Sequence, residues 1–361
     1  MRVAAFAAGV VALAAAVAAP AWAAAAADTL ERAASPSALA GRSLLVAAAR
    51  AGERLVVAGE RGHVLGSDDG GANWQQASVP VSTTLTSLCF ADAHTGWAVG
   101  HRGVILKSAD GGRSWQRQLD GWALNRLLAD VVAAVGATLP HEAAGFARDG
   151  ADKPWLDVAC LDAERVVAVG AFGLAVASAD GGRSWTLLAE LLRASGAKHL
   201  NAVAVHGDGI LVAGEQGLLL QASAQGRDVR RLASPHPGSY FDIVATAAGD
   251  WLALGLRGSL ARSADGGRTW VRAPSPSTQT FTSALPRADG SVLIADETGA
   301  VFSSVDGRAP FVRQPVDGAF PFVALVESVG ARVIAVGARG VKTLEKAAVR
   351  PVAGPAGRAT R

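Results

Sequence analysis

The stretch GWAVGHRGVILKSADGGRSW, residues 96–115, decides the fold, because two phrases inside it recur along the chain. The first is a small apolar run, usually ending in Gly, then two variable residues and a closing Gly. It reads AGERG at 58–62, VGHRG at 99–103, VGAFG at 169–173, AGEQG at 213–217, LGLRG at 254–258, ADETG at 295–299 and VGARG at 336–340. The closing glycines, Gly62, Gly103, Gly173, Gly217, Gly258, Gly299 and Gly340, are spaced 41, 70, 44, 41, 41 and 41 apart. The 70 is one repeat plus an insert of about 29 residues, and a period near 40 built from short strands and glycine turns predicts a β-propeller. One such unit cannot bury its own faces, so the repeats must stack, and seven can close a ring.

The second phrase is the Asp box, S-x-D-G-G-x-x-W: SDDGGANW at 67–74, SADGGRSW at 108–115 and 178–185, and SADGGRTW at 263–270. Its Asp accepts hydrogen bonds from the N–H groups of its own turn. Its Trp folds back and buries a large area. The box decays to SAQGRDV at 223–229 and SVDGRAPF at 304–311 and is missing from the seventh copy. A turn that recurs in blade after blade serves the blade, so we read it as structural, with no bound metal.

The fold class expected is all-β: a seven-bladed β-propeller of four-stranded antiparallel blades with Asp-box turns. The blades span roughly 41–81, 83–120, 155–192, 199–234, 239–274, 280–316 and 320–350, within a propeller domain of about 28–350. Blade 7 has only AAVRPV (347–352) as a weak fourth strand. The segment 28–40 is the alternative source of that strand, which would cover an exposed edge. The tail 351–361 reads as disordered. The insert at 121–154 breaks the pattern. Leu124, Leu127, Leu128, Val131, Val132 and Val135 form one stripe of an amphipathic helix of about four turns, ended by Gly136 and Pro140. Such a stripe packs either on the propeller or on a partner.

Residues 1–23 (MRVAAFAAGVVALAAAVAAPAWA) read as a secretory signal peptide, with one Arg, an apolar stretch and an Ala-Trp-Ala cleavage site. The expected location is the bacterial periplasm. The formal charge of +3 identifies no partner. The two cysteines, Cys89 and Cys160, lie in the first strands of adjacent blades. An oxidising compartment favours pairing. Their positions are one residue out of register, however, which points their side chains to opposite faces, and two buried thiols are the expectation.

Propeller topology places the G-x-x-G turns and the helical insert on one face and the Asp boxes on the other. The residue before each closing Gly is Arg61, Arg102, Phe172, Gln216, Arg257, Thr298 or Arg339. The four arginines fall on blades 5, 7, 1 and 2, an arc broken only at blade 6. Guanidinium groups pair with carboxylates in a bidentate manner, so the arc is a candidate receiver for an acidic peptide segment. Pairing with Glu60, Asp296 or Glu297 is the competing reading.

A glycosidase of the sialidase-like Asp-box propeller type is the alternative function. It would need a Tyr nucleophile, acid–base carboxylates and an arginine trio. The single Tyr is Tyr240, and Glu60, Glu215 and Glu297 recur at one place in their turns, as repeat residues do. No residue is assigned a catalytic role. No P-loop, dinucleotide fingerprint or metal-ligand spacing is present, so no cofactor or metal is expected.

The run at 96–115 resembles the blade pattern of the photosystem II stability/assembly factor family and its non-photosynthetic bacterial relatives, the BNR-repeat propellers. The resemblance covers nearly the whole mature chain. It implies a seven-bladed, exported, non-enzymatic propeller that binds a membrane-protein subunit during assembly. An arginine-rich surface belongs to that family, and Arg61, Arg102, Arg257 and Arg339 are the positions that match it. Blades 3, 4 and 6 lack the Arg, and the photosystem role does not transfer. The expected function is that of an assembly or stability factor, or accessory subunit, of an inner-membrane complex such as a transporter. The expected partner is a membrane-protein subunit or its exported acidic segment. Nucleic acid and membrane insertion are not expected, and the protein alone is expected to be a monomer.

Overall fold

The structure is a computed structural model that describes residues 28–135, 138–146 and 148–344. Seven antiparallel sheets follow one another along the chain, and in each the strands pair in sequence order. Blade 2 shows the plan: Leu85–Phe90 innermost, then Gly96–Gly100, Ile105–Ser108 and Gln116–Leu119 outermost. The second strand of every blade is wholly or almost wholly buried, because its two faces serve two different neighbours. In blade 2, Ala98 and Leu106 pack toward blade 1, while Trp97, Val99 and Ile105 pack toward blade 3. Each junction between consecutive blades holds one apolar layer. The layer between blades 7 and 1, with Ile334, Val336, Leu55 and Val57, closes the ring.

The turns explain the repeated glycines. At Gly100 a Cβ would stand 2.2 Å from the carbonyl oxygen of Thr84, so close backbone approach demands Gly there. Gly103 has φ +65°, and Arg102 before it is also left-handed at φ 61°. The Asp boxes work as local staples. In blade 1 the Ser67 hydroxyl donates to Asp69 (2.8 Å), and Asp69 accepts from the Asn73 N–H (2.8 Å). Trp74 closes the turn by donating to the Gly71 carbonyl at 3.1 Å.

Polar groups near the axis tie neighbouring blades together. The innermost strands carry a bulge near their start. Thr86 and Thr282, at the bulges of blades 2 and 6, each donate at 2.8 Å to a carbonyl of the next blade, Trp155 and Phe322. At the rim between blades 6 and 7, the buried Arg287 guanidinium pairs with Glu327 at 3.0 Å.

Three sequence expectations are corrected. Cys89 and Cys160 form a disulfide, with Cα atoms 5.8 Å apart. The one-residue offset is present, and it brings the two side chains together rather than apart. Adjacent blades meet through opposite faces, so opposite-facing side chains point into the same layer, where both cysteines lie. Residues 28–40 do not supply a strand to blade 7, which has three strands among the described residues. The acidic N-terminal segment is drawn instead across blades 2 and 1. Asp28 pairs with Arg102 (2.8 Å), Glu31 pairs with Arg117 (3.0 Å), and Gln76 bonds to the backbone of Ser35 and Ser37. The alternative fourth strand at 347–352, the signal peptide at 1–23 and the tail at 351–361 lie outside the described residues. Finally, the strands of blade 3 end at Leu187, short of the expected boundary at 192, and the chain continues as a short helix, Ala189–Ser195, that buries Leu191 and Leu192.

Candidate partner-binding face

The seven turn residues before the closing glycines lie on one face, at the ends of strands 2 and 3 of each blade. In blades 1 to 5 this residue, Arg61, Arg102, Phe172, Gln216 or Arg257, adopts a left-handed conformation, with φ between 53° and 61°. Arg61, Arg257 and Arg339 are exposed, and none makes an ion pair with a described residue. Arg102 differs from them: it is half-buried and held by Asp28.

The carboxylates that could neutralise the free arginines are committed elsewhere. Glu60 accepts from the Leu44 N–H at 3.2 Å, Glu215 from the His199 N–H at 2.8 Å and Glu297 from the Thr280 N–H at 3.0 Å. Each of these N–H groups belongs to the residue that precedes the innermost strand of its own blade. Asp296 is buried and accepts from the Thr298 and Ala300 N–H groups and from the Ser277 hydroxyl. Thus the three Glu act as repeat residues that tie turn to strand. Tyr240 is fully buried, with its hydroxyl 2.9 Å from that of Ser234 and its acidity further weakened by burial.

The insert docks on blades 2 and 3. Helix α1, Gly121–Val135, buries Leu124 and Leu128 in the layer between these blades, and Leu127, Val131 and Val132 pack against that layer. Val135, at the end of the predicted stripe, is exposed. Behind the helix, the buried Lys153 ammonium donates to Asn125 (2.9 Å) and to the Gly150 carbonyl (2.8 Å), closing the insert. The segment after α1 covers the blade 3 turn, with Phe146 and Phe172 ring centroids 4.9 Å apart. This accounts for the missing arginine of blade 3: its turn residue is packed under the insert.

Sequence reasoning missed two carboxylates. Asp157 and Asp242 stand at the residue after the bulge in the innermost strands of blades 3 and 5. Asp157 accepts from the Ser87 hydroxyl of blade 2 (2.6 Å) and the Val203 N–H of blade 4 (2.8 Å), while Asp242 accepts from the Ala284 N–H of blade 6 (2.7 Å). Burial pushes both above the usual carboxylate range, Asp242 to about 7, and the charge of Asp157 adds to the rise at Asp242. The available signal was an acidic residue within an otherwise apolar innermost strand, at the same repeat position in two blades.

This architecture defines a class: an Asp-box propeller with a basic turn face partly roofed by an insert. The chain belongs to the Photosynthesis system II assembly factor YCF48 family, whose model matches residues 71–131 and 149–309. Among solved structures, "YCF48 bound to D1 peptide" is similar at 16% identity and TM-score 0.63, covering 84% of this chain and 93% of that one. YCF48 from Cyanidioschyzon merolae is similar at 18% identity and TM-score 0.62, covering 85% and 96%. A streptogramin B lyase structure shares the fold at 8% identity and TM-score 0.64, covering 84% and 93%. No functionally curated protein sequence matches the chain.

Proposed function

We propose that this protein is an exported, non-catalytic scaffold whose arginine-bearing face holds an acidic segment of an inner-membrane protein during its assembly or stabilisation. One observation carries the reading. Arg61, Arg257 and Arg339 project from equivalent turns of one face and make no ion pair with a described residue, while Glu60, Glu297 and Asp296 bond to backbone N–H groups and turn hydroxyls instead. Like charges on one face repel, so their clustering contributes little to folding and is matched by an anionic ligand. The peptide-bound YCF48 structure supports a peptide as that ligand. The N-terminal sequence supports export to the periplasm, and a transporter is one complex such a scaffold would serve.

The test is capture of detergent-solubilised inner-membrane proteins by the mature chain. Wild type should retain a specific membrane subunit, and capture should fall as salt rises. Replacing Arg61, Arg102, Arg257 and Arg339 together with Gln should abolish capture and leave the fold intact. Equal capture by this variant would move the binding site to the Asp-box face. Turnover of an aryl glycoside that is lost in Tyr240→Phe would return the glycosidase reading.

A further inference from the structure

The chain contains one filled example of how its rim holds carboxylates. At Asp28–Glu31 the backbone makes a tight turn, with the Glu31 N–H donating to the Asp28 carbonyl at 2.9 Å. Asp28 lies on Arg102, the turn residue of blade 2, and Glu31 on Arg117, in the outermost strand of the same blade. Between them Leu30 is buried in the layer that also holds Val79, Val81 and Val104.

Blade 5 repeats this arginine pair. Arg257 precedes Gly258 as Arg102 precedes Gly103, and Arg272 follows Trp270 by two as Arg117 follows Trp115 by two. The register agrees: Arg117 stands opposite Leu106 and Arg272 opposite Ala261, each of these three residues after its closing Gly. At blade 5, however, no described residue occupies the pair. Both arginines line a groove of about 1030 Å³ that runs from His236, on the blade 4 side, across blade 5 to Phe311 and Arg313 of blade 6.

On the blade 4 side of the groove the layer also differs from that around Leu30. Val79, Val81 and Val104 are replaced at the equivalent positions by Ser234, His236 and Ser259. Ser259 bonds to the His236 ring, and the Ser234 hydroxyl donates to the His236 carbonyl at 2.8 Å. An apolar residue in the place of Leu30 would meet polar atoms here, so a small polar residue matches this layer better. Pro237 stands where Ser82 donates its N–H to Thr29, so the side-chain contacts carry more of the binding at blade 5.

We propose that the blade 5 groove binds a partner segment carrying two carboxylates three residues apart with a small polar residue between them, its acids on Arg257 and Arg272. The proposal rests on the reading of the protein as a binder of acidic partner segments, and it places one such segment on the rim.

The probe is a fluorescein-labelled peptide, DTSERAA, the sequence of residues 28–34 with Leu30→Ser. This change also disfavours exchange into the site at blade 2, where Leu30 is buried. Fluorescence anisotropy with the full mature chain should show salt-sensitive binding. Arg257→Gln with Arg272→Gln should weaken it about tenfold or more. Arg183→Gln, an exposed residue of the blade 3 Asp box on the opposite face, should leave it unchanged, and the peptide with Asp28→Asn and Glu31→Gln should not bind. These arginines are exposed, so melting temperatures should stay close to wild type. Absent binding by wild type, or equal binding by the Arg257/Arg272 variant, overturns the proposal. Because Arg272 is outside the four turn arginines, Arg272→Gln separates the two readings. If it leaves both peptide binding and membrane-subunit capture intact while the four-arginine variant loses capture, the groove proposal falls and the face proposal stands.

Discussion

Cys89 and Cys160 are bonded across the layer between blades 2 and 3, from positions one residue out of step in their repeats. The bond closes a loop of sequence separation 71 that contains the whole helical insert. Closing such a loop restricts the unfolded chain and contributes about 4 kcal/mol in the chain-entropy account. The Cys89→Ser, Cys160→Ser variant should lose about that much in urea unfolding. Wild type in strong reductant should match it, while a difference persisting under reduction would mean that the serines disturb packing.

Arg287 and Glu327 form a buried ion pair linking blade 6 to blade 7. Glu327 also accepts from the Ala288 N–H at 2.9 Å. Removing one partner strands a buried charge, so Glu327→Ala should cost about 3–5 kcal/mol. The exposed pair between Arg165 and Asp162 provides the control. Asp162→Ala should cost much less in the same denaturant series.

Two groups of carboxylates give stability opposite pH dependences. Asp242 is pushed up to about 7 by burial. Its folded value lies above its unfolded value of about 4, so its contribution is full below pH ~4 and is lost as pH rises through 7. Asp69 is held down to about 2 by the Asn73 backbone N–H, the Asn73 amide and the Ser67 hydroxyl. Its contribution is full above pH ~4 and is lost as pH falls toward 2. Melting temperature measured against pH should therefore decline on both sides. Asp242→Asn should flatten the decline between pH ~4 and 8 and leave the acid limb unchanged.

Deleting residues 320–361 removes blade 7 and exposes two apolar layers, one on blade 6 and one on blade 1. The truncated chain should show no cooperative thermal transition by circular dichroism, because ring closure couples the blades. A six-bladed fragment that still melts sharply would show that the layers are independently stable.

The repeat was legible because its needs are local. A Gly that must meet a neighbouring carbonyl and a Ser–Asp–Gly–Trp staple leave the same residues in blade after blade. The amphipathic stripe of α1 was legible for the same reason, since its spacing is set within one helix. The arginine turns could be placed on one face from strand alternation. Their partners could not be read that way. Asp28 lies far from Arg102 in sequence, and the competing acids beside the arginines are diverted to backbone N–H groups. Asp157 and Asp242 were missed because one acid in an apolar strand gains meaning only when other blades supply its donors.

The sequence by itself determined the number of blades, the order of their strands, the turn chemistry and the position of the insert, all consequences of a period and of short-range sterics. Tertiary structure decided how blade faces oppose one another, and so whether Cys89 meets Cys160. It also decided where the acidic N-terminal segment lies, and so that Arg102, among the turn arginines, is the one paired with Asp28. These contacts join residues brought together by the curvature and closure of the ring, which no local pattern in the chain encodes.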